Sequence, residues 1–444
     1  MAMEFIRTVL AAVTIGLVAL ASSADAQQRT EITLARFFGT CESNYGSNVD
    51  LSRAQGECGV ITTLINKFNA ENKDGVIVRS QAIEWGPYYQ QLASRVAARN
   101  VPTIAMMHAA QIGDFVRAGI LEPITVDLES VGIDPADFTP NARDGVTMDG
   151  RVYALPWDTH SWLWHINLGL FKKAGLVDEA GEPRIPKNVD EMMAQAAQAR
   201  EKTGKPYMVV ATTGSGDAAG SRSFYSWLYD QEGSIFPDGY SRADFKTPAA
   251  LTTFEVFEKL TRANAITKGL DQSGEISTFV NGGAAIWLTG TWRIDDMLAA
   301  AAKPGSPLAE GYTVRVFPNL FTKHAVWTDN HAFVLLQAGN TKPEVRKAAG
   351  AFLRFMWDNN LAWSRAGHLP ARASVLEEYS KLPLRQYVLD IPRIGVSLPH
   401  DVRRQFGLQA IIGDEVASII NVGKPHRAAA DAAQERSNQL LRRR

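Results

Sequence analysis

The residues most able to do chemistry are crowded into one stretch, Trp157-Asp158-Thr159-His160-Ser161-Trp162-Leu163-Trp164. If the stretch is a strand, Asp158, His160, Trp162 and Trp164 point one way and their neighbours the other, because side chains alternate. A carboxylate, an imidazole and flat indole rings suit a polyhydroxylated partner. Its hydroxyls need donors and acceptors, and its C–H faces need an apolar plane. The rival chemistry, a metal shared by His160 and His165, is disfavoured because five positions along a strand put the two rings on opposite faces. Neither a metal nor a cofactor is expected.

Catalytic motifs are missing. The sequence has no H-E-x-x-H, no G-x-S-x-G and no nucleotide loop ending in G-K-S/T. The run G-S-G-D-A-A-G from Gly214 has its last glycine one residue late for a dinucleotide fingerprint. A glycoside hydrolase would need two carboxylates facing one glycosidic bond. Asp158 with Asp329 or Glu232 could be cast in that role, but no motif surrounds them. The expectation is a protein that binds and does not catalyse.

Alternating strand and helix patterns must position these residues. Strands are expected at Ile32 to Phe37, Val76 to Ala82 and Thr103 to Met107. The stripe Val60, Ile61, Leu64, Ile65 and Phe68 marks one helix, Tyr89, Leu92, Ala93 and Val96 a second, and a third runs from Gln111 to a stop at Gly119. That alternation indicates an α/β fold with a parallel sheet covered on both faces. A second α/β region follows. Asn188 with Glu191 resembles a capping box, and Thr247-Pro248 opens a helix through Ala263. Strands are expected at Ala284 to Thr289, Thr313 to Phe317 and His331 to Leu336, then a helix from Thr341 and Pro343 to Trp357, with an Ala-rich helical end from Asp401.

Composition narrows the partners. Lys and Arg (46) balance Asp and Glu (47) over 444 residues, for a net charge of −1. No field of one sign is available to attract a polyanion, so nucleic acid is not an expected partner, and an uncharged ligand is favoured. At the start, Arg7, the apolar run Val9 to Ala21 and Ala24-Asp25-Ala26 read as a signal peptide ending at residue 26. The run is short of the roughly 20 apolar residues that span a bilayer, and no cysteine follows closely enough for a lipid anchor. A soluble, monomeric periplasmic protein is expected. In that oxidising compartment Cys41 and Cys58, the two cysteines of the chain, should pair.

Four stretches, in order, resemble the sugar-binding proteins of bacterial ABC importers, the extracellular solute-binding family that includes maltose-binding protein. They are WGPYYQQLASRVAARNVPTIAMMH from Trp85 continuing to Ile124, DGRVYALPWDTHSWLWHINLGLFKKAGL from Asp149, FVNGGAAIWLTGTW from Phe279 and AGHLPARASVL from Ala366. The chain departs from the family pattern at Thr103, at Ile286 and in the Leu168-Gly169 pair.

The resemblance implies a two-lobed periplasmic-binding-protein fold, with a ligand cleft between lobes joined by crossing strands. The implied N-terminal lobe is 27–156 with 319–360, and the C-terminal lobe is 157–318 with 361–444. Crossings fall near Pro156 to His160, Val316 to Asn319 and Asn359 to Ala362. A small carbohydrate is the implied ligand and the permease subunits of the importer, in the inner membrane, the implied partner.

Residues after the family's proline line the cleft, which points to Trp157, Asp158 and His160, with Trp162 and Trp164 in the core. Trp292 matches the family's ring-stacking aromatic, while Trp287 reads as core. Gly290 permits close backbone approach or a turn. Weaker candidates sit at sheet ends and helix starts, where ligands tend to lie. They are Phe38 and Thr40, Trp85, His108 and Gln111, Arg222 and Ser223, Asp329, Asn330 and His331, and Arg365 and His368. Within the same fold the cargo could instead be a polyol, a modified sugar or a small phosphate ester, for which Arg222 or Arg365 would supply the charge.

Overall fold

The computed structural model describes residues 29–214 and 219–443. The expected signal peptide lies outside these residues, as does most of the glycine-rich run after Gly214. Among the described residues, no helix is long and apolar enough to cross a membrane.

The first sheet has five strands, in the order Val76–Ala82, Thr30–Arg36, Ile104–His108, His331–Leu335, Leu155–Pro156. The first three are parallel, as the strand–helix alternation requires; His331–Leu335 runs antiparallel to them, and Leu155–Pro156, antiparallel to it in turn, runs with the first three. Helix Gly56–Glu71 buries the stripe Val60, Ile61, Leu64, Ile65 and Phe68 against this sheet. Helix Ala109–Arg117 ends before Gly119, whose φ of +67° suits a residue with no Cβ.

The second sheet is built around one long strand, Asp158–Asn167, in which every residue is buried. Along its length it pairs antiparallel with Leu369–Pro370, Val326–Asp329, Ile286–Gly290 and Tyr312–Val316. A strand covered on both faces is normally apolar throughout. This one carries Asp158, His160, His165 and Asn167, so each polar group must find a partner inside the protein. Helices Ala219–Asp230, Pro248–Arg262, Gln405–Val422 and His426–Arg442 close over the sheet to form the second core.

Two sequence expectations need correction. The chain does not return between the sheets at Val316 to Asn319: Leu320, Val326 and Trp327 lie in the second core, and the first sheet is reached only at His331. Residues 317–324 instead loop out between two strands that run in the same direction and pair in succession with the long strand. There Asp230 accepts the backbone N–H of Leu320 at 2.6 Å, and His324 Nε2 meets Phe317 O at 2.9 Å. Trp157, placed in the second lobe and the cleft, is fully buried in the first core against Phe333 and Trp363.

Local signals fare better. Asn188 accepts the N–H of Glu191 at 2.8 Å and Thr247 that of Ala250 at 3.3 Å, caps that each stabilise a helix by about 1 kcal/mol. The helix expected from Thr341 opens at Pro343, with Lys342 at its cap. Cys41 and Cys58 are joined, closing a loop with a sequence separation of 17. In the chain-entropy view this contributes about 3 kcal/mol.

Candidate functional site

Asp158 sits where the crossing strand leaves the first lobe, and its side chain is fully buried. Its Oδ2 accepts Trp363 Nε1 at 2.7 Å and His331 Nδ1 at 2.8 Å. Its Oδ1 meets His160 Nδ1 and the backbone N–H of His331, both at 3.2 Å. Both imidazoles therefore carry their proton on Nδ1. They stack on one another with centroids 4.1 Å apart. Asn330, predicted as a ligand contact, instead ties the strands together by donating to Asp158 O at 2.9 Å and Thr159 Oγ1 at 2.7 Å.

His368 completes the ring of charge. Its Nε2 is 2.9 Å from Glu57 Oε1, its Nδ1 lies 3.9 Å from Asp158 Oδ2, and its ring stacks on Trp363. Burial opposes the charge on Asp158, but His331 and His368 outweigh it and hold the carboxyl well below its usual range. Burial also opposes charge on His368, yet Asp158 and Glu57 raise its pKa. His108 and His160 go the other way: burial, then neighbouring imidazoles, keep them neutral. The result is a buried anion held by His331 and His368 together.

Beside this network lies an aromatic cage. The Arg222 guanidinium is 4.9 Å from the ring of Trp327, 5.0 Å from Trp292, 5.4 Å from Trp162 and 5.9 Å from Trp85. Cation–π attraction of this kind contributes about 0.5–2 kcal/mol per ring. Trp162, expected in the core, is buried but forms a wall of the cage, its indole N–H donating to Ser223 Oγ at 2.8 Å. Trp292 is half-buried and rests on Gly290, where an added Cβ would lie 2.0 Å from the indole. Gly290 is thus required for close approach.

The two lobes meet around these groups. Phe406, from the second-lobe helix, packs at 5.1 Å on both Tyr89 and His108 and at 6.1 Å on Trp85. On the flanks, Gly56 N–H donates to Asp295 at 2.8 Å and Arg117 to His400 O at 2.9 Å. A cavity of about 200 Å³ adjoins Trp327 and Asp329, lined also by Asn141, Asp144, His400 and Gln405. Asp329 caps the helix after the third strand by accepting Ala110 N–H at 3.2 Å, and burial pushes its carboxyl up to about 6.

The structure therefore brings together Asp158, His160, His331, His368, His108 and Phe38, which touches His331 and Trp363 at 4.9 Å. Trp85, Arg222, Ser223, Trp292, Asp329 and Asn330 border them. Thr40 is exposed beside the disulfide, and Arg365 is exposed and donates to Leu51 O at 3.0 Å. Gln111 is buried in its helix. Glu232, the alternative hydrolase carboxylate, lies in an exposed turn with φ of +54°. Sequence reasoning missed Trp327, Tyr89, Phe406, Trp363 and Glu57. Trp327 alone carried a usable signal, an aromatic two residues before Asp329.

His165 falls on the opposite side from His160, as alternation predicts. Its Nδ1 meets Tyr312 Oη at 2.7 Å and its Nε2 meets Gly290 O at 3.0 Å, and burial lowers its pKa from 6.5 to about 3. The unfolded chain takes up this proton near 6.5 while the folded one does not. Stability from His165 is therefore intact above that pH and declines as pH falls toward about 3, at roughly 1.4 kcal/mol per pH unit. His165→Gln should flatten this acid limb in urea-unfolding series between neutral pH and pH about 4. Parallel curves for variant and parent would refute the assignment.

Comparison with known proteins agrees with this architecture. The description "bacterial extracellular solute-binding protein" belongs to the family model that matches residues 63–386, a span holding both sheets' crossings and most of the site. The chain is 27% identical over 213 residues to a putative binding protein of Brucella abortus, a match covering 47% of each chain. It thus spans about half the length of that relative. It is 22% identical over 474 aligned positions to the sn-glycerol-3-phosphate-binding periplasmic protein UgpB of Pectobacterium atrosepticum, covering 99% of this chain and 96% of that one. The fold is similar to the GacH receptor of Streptomyces glaucescens, solved unliganded and with acarbose, with a TM-score of 0.76 at 19% identity over 93% of this chain and 98% of that one. Two lobes joined by crossing strands, aromatic rings gathered where they meet, and a family match over most of the length lead to one assignment: the chain belongs to the bacterial extracellular solute-binding protein family.

Proposed function

We propose that this solute-binding protein captures a mono- or oligosaccharide between its lobes. It then delivers the sugar to the permease subunits of an ATP-driven importer in the inner membrane. It acts in the periplasm as a monomer, after loss of the signal peptide, and leaves its ligand chemically unchanged. The lobes divide at Asp158, Asn330 and the segment after Asn359. The observation that carries this reading is the convergence of aromatic faces from both lobes, Trp85 from one and Trp292, Trp327 and Phe406 from the other, on imidazole and guanidinium donors. Flat rings plus fixed polar groups are what a sugar's two surfaces require. Ligand held by both lobes favours the closed arrangement by hinge motion.

Arg222 favours a second reading in which the cargo carries a phosphate or another anionic group. The likeness to a glycerol-phosphate-binding protein supports it.

A thermal-shift panel of neutral sugars, polyols and polyol phosphates tests both. A neutral sugar should raise the melting temperature, with about 2.7 kcal/mol of stabilisation at a hundredfold excess over Kd. Stabilisation by phosphate esters alone would select the second reading. Recovery of a hydrolysed product after incubation would overturn both in favour of an enzyme.

A further inference from the structure

The ligand reading leaves one feature of the cleft floor unused. Asp158, His160, His331 and His368 place four donor atoms within 4.8 Å of one another, and all four residues are buried. They come from three parts of the chain: Asp158 and His160 share the long strand, His331 lies 173 positions from Asp158, and His368 follows later still. Sequence spacing weighed only His160 with His165 and so argued against a metal.

We infer that these four side chains bind one late first-row divalent cation of the Zn²⁺, Co²⁺ or Ni²⁺ class. The donors would be the Asp158 carboxylate and the Nδ1 atoms of His160, His331 and His368. A tetrahedral cation with bonds near 2.0–2.1 Å sets its ligand atoms about 3.3 Å apart. From Asp158 Oδ2 the Nδ1 atoms of His331 and His368 lie at 2.8 and 3.9 Å, and from Oδ1 that of His160 lies at 3.2 Å, distances that bracket that edge. The His331 and His160 pairs are bridged by a shared proton; the His368 pair is too long for a hydrogen bond. On ligation each of the three rings gives up its Nδ1 proton, to its own Nε2 where that atom is bare and otherwise to solvent, and presents the Nδ1 lone pair to the cation.

The surroundings match those of metal-holding residues. Glu57 accepts His368 Nε2–H at 2.9 Å, which turns the Nδ1 edge of His368 toward Asp158. Such an outer carboxylate both orients a ligating imidazole and raises its basicity. Thr291 Oγ1 is 3.4 Å from the same Nδ1. Trp363 Nε1 and the His331 backbone N–H fix the carboxylate's orientation. Asp158 and Glu57 together supply two negative charges against the cation's two positive ones. Three imidazoles and one carboxylate select zinc-like ions over Mg²⁺ or Ca²⁺, which take mostly oxygen.

The inference does not depend on which solute the cleft carries. Its test uses the full chain without a histidine tag, stripped with chelator and titrated with Co²⁺, followed by Zn²⁺ competition and elemental analysis. One equivalent of Co²⁺ should bind, with the intense visible bands of a four-coordinate site, and Zn²⁺ should displace it. Glu57→Gln should weaken Co²⁺ binding by about 10–100-fold, and His368→Gln should weaken it further and change the bands. Circular dichroism checks that both variants fold, and Glu57→Gln keeps the test valid if His368→Gln does not. Absence of stoichiometric uptake by the parent protein would overturn the site. Unchanged Co²⁺ affinity in the folded variants would overturn it equally.

Discussion

Replacing Asp158 with alanine is expected to remove about 3–5 kcal/mol from the unfolding free energy, measured by urea titration in chelator-containing buffer. Four N–H groups converge on this carboxylate, from His160, Trp363 and twice from His331. They belong to the crossing strand, to the first-lobe strand His331–Leu335 and to the short helix Asn360–Ser364. Alanine leaves those donors buried without an acceptor and leaves the charge favoured on His368 with Glu57 as its remaining anion, and both costs are large away from water.

Asp158→Asn separates the two costs. It keeps the shape and one acceptor oxygen but is neutral and turns an NH₂ toward existing donors, so an intermediate loss of about 1–3 kcal/mol is expected. Because the folded carboxyl is held well below its ordinary pKa, the parent's advantage over Asp158→Asn is present above about pH 4 and lost as pH falls below it. If both variants unfold within 1 kcal/mol of the parent, the network is not what holds the junction.

Trp292→Ala should weaken binding of the best-stabilising panel compound by about thirtyfold, equivalent to 2 kcal/mol. Trp292 is half-buried, lies against the bare backbone at Gly290 and has Arg222 at 5.0 Å from its ring. A fully buried tryptophan would instead cost 3–5 kcal/mol of stability on truncation, of the order seen for large aromatic side chains. Calorimetric titration together with thermal melting distinguishes the two outcomes. Near-normal affinity in a strongly destabilised variant would make Trp292 a core residue and remove the stacking role. Gly290→Ala provides an independent probe. Its new methyl would collide with the indole and displace it without deleting it, so affinity should fall here too.

Much of this architecture was legible in the sequence because it depends on short-range signals. The period of Val60, Ile61, Leu64, Ile65 and Phe68 specified a helix face, Asn188 and Thr247 specified helix starts, and the strand Val76–Ala82 has the expected bounds. The alternation along Asp158–Asn167 put His160 and His165 on opposite sides, and the two cysteines paired. Resemblance to a family added the two lobes and the place of the cleft.

Alternation does not say which face of a strand meets a core and which meets a cleft. That was decided by what packs against each side. Trp157 went under Phe333 and Trp363, while Trp162 went to the cage around Arg222. The family's motif placement puts a lobe crossing near Val316 to Asn319, and only the resumed pairing of Val326–Asp329 with the long strand rules it out. The gathering of His331 and His368 on Asp158 had no local signal, since residues so far apart in the chain meet only when two sheets and a helix have packed. Sequence determined the elements and the kinds of side chain at their ends; tertiary packing alone decided which of those side chains share an ion, because a charge taken out of water must be answered by whatever partners the fold brings within reach.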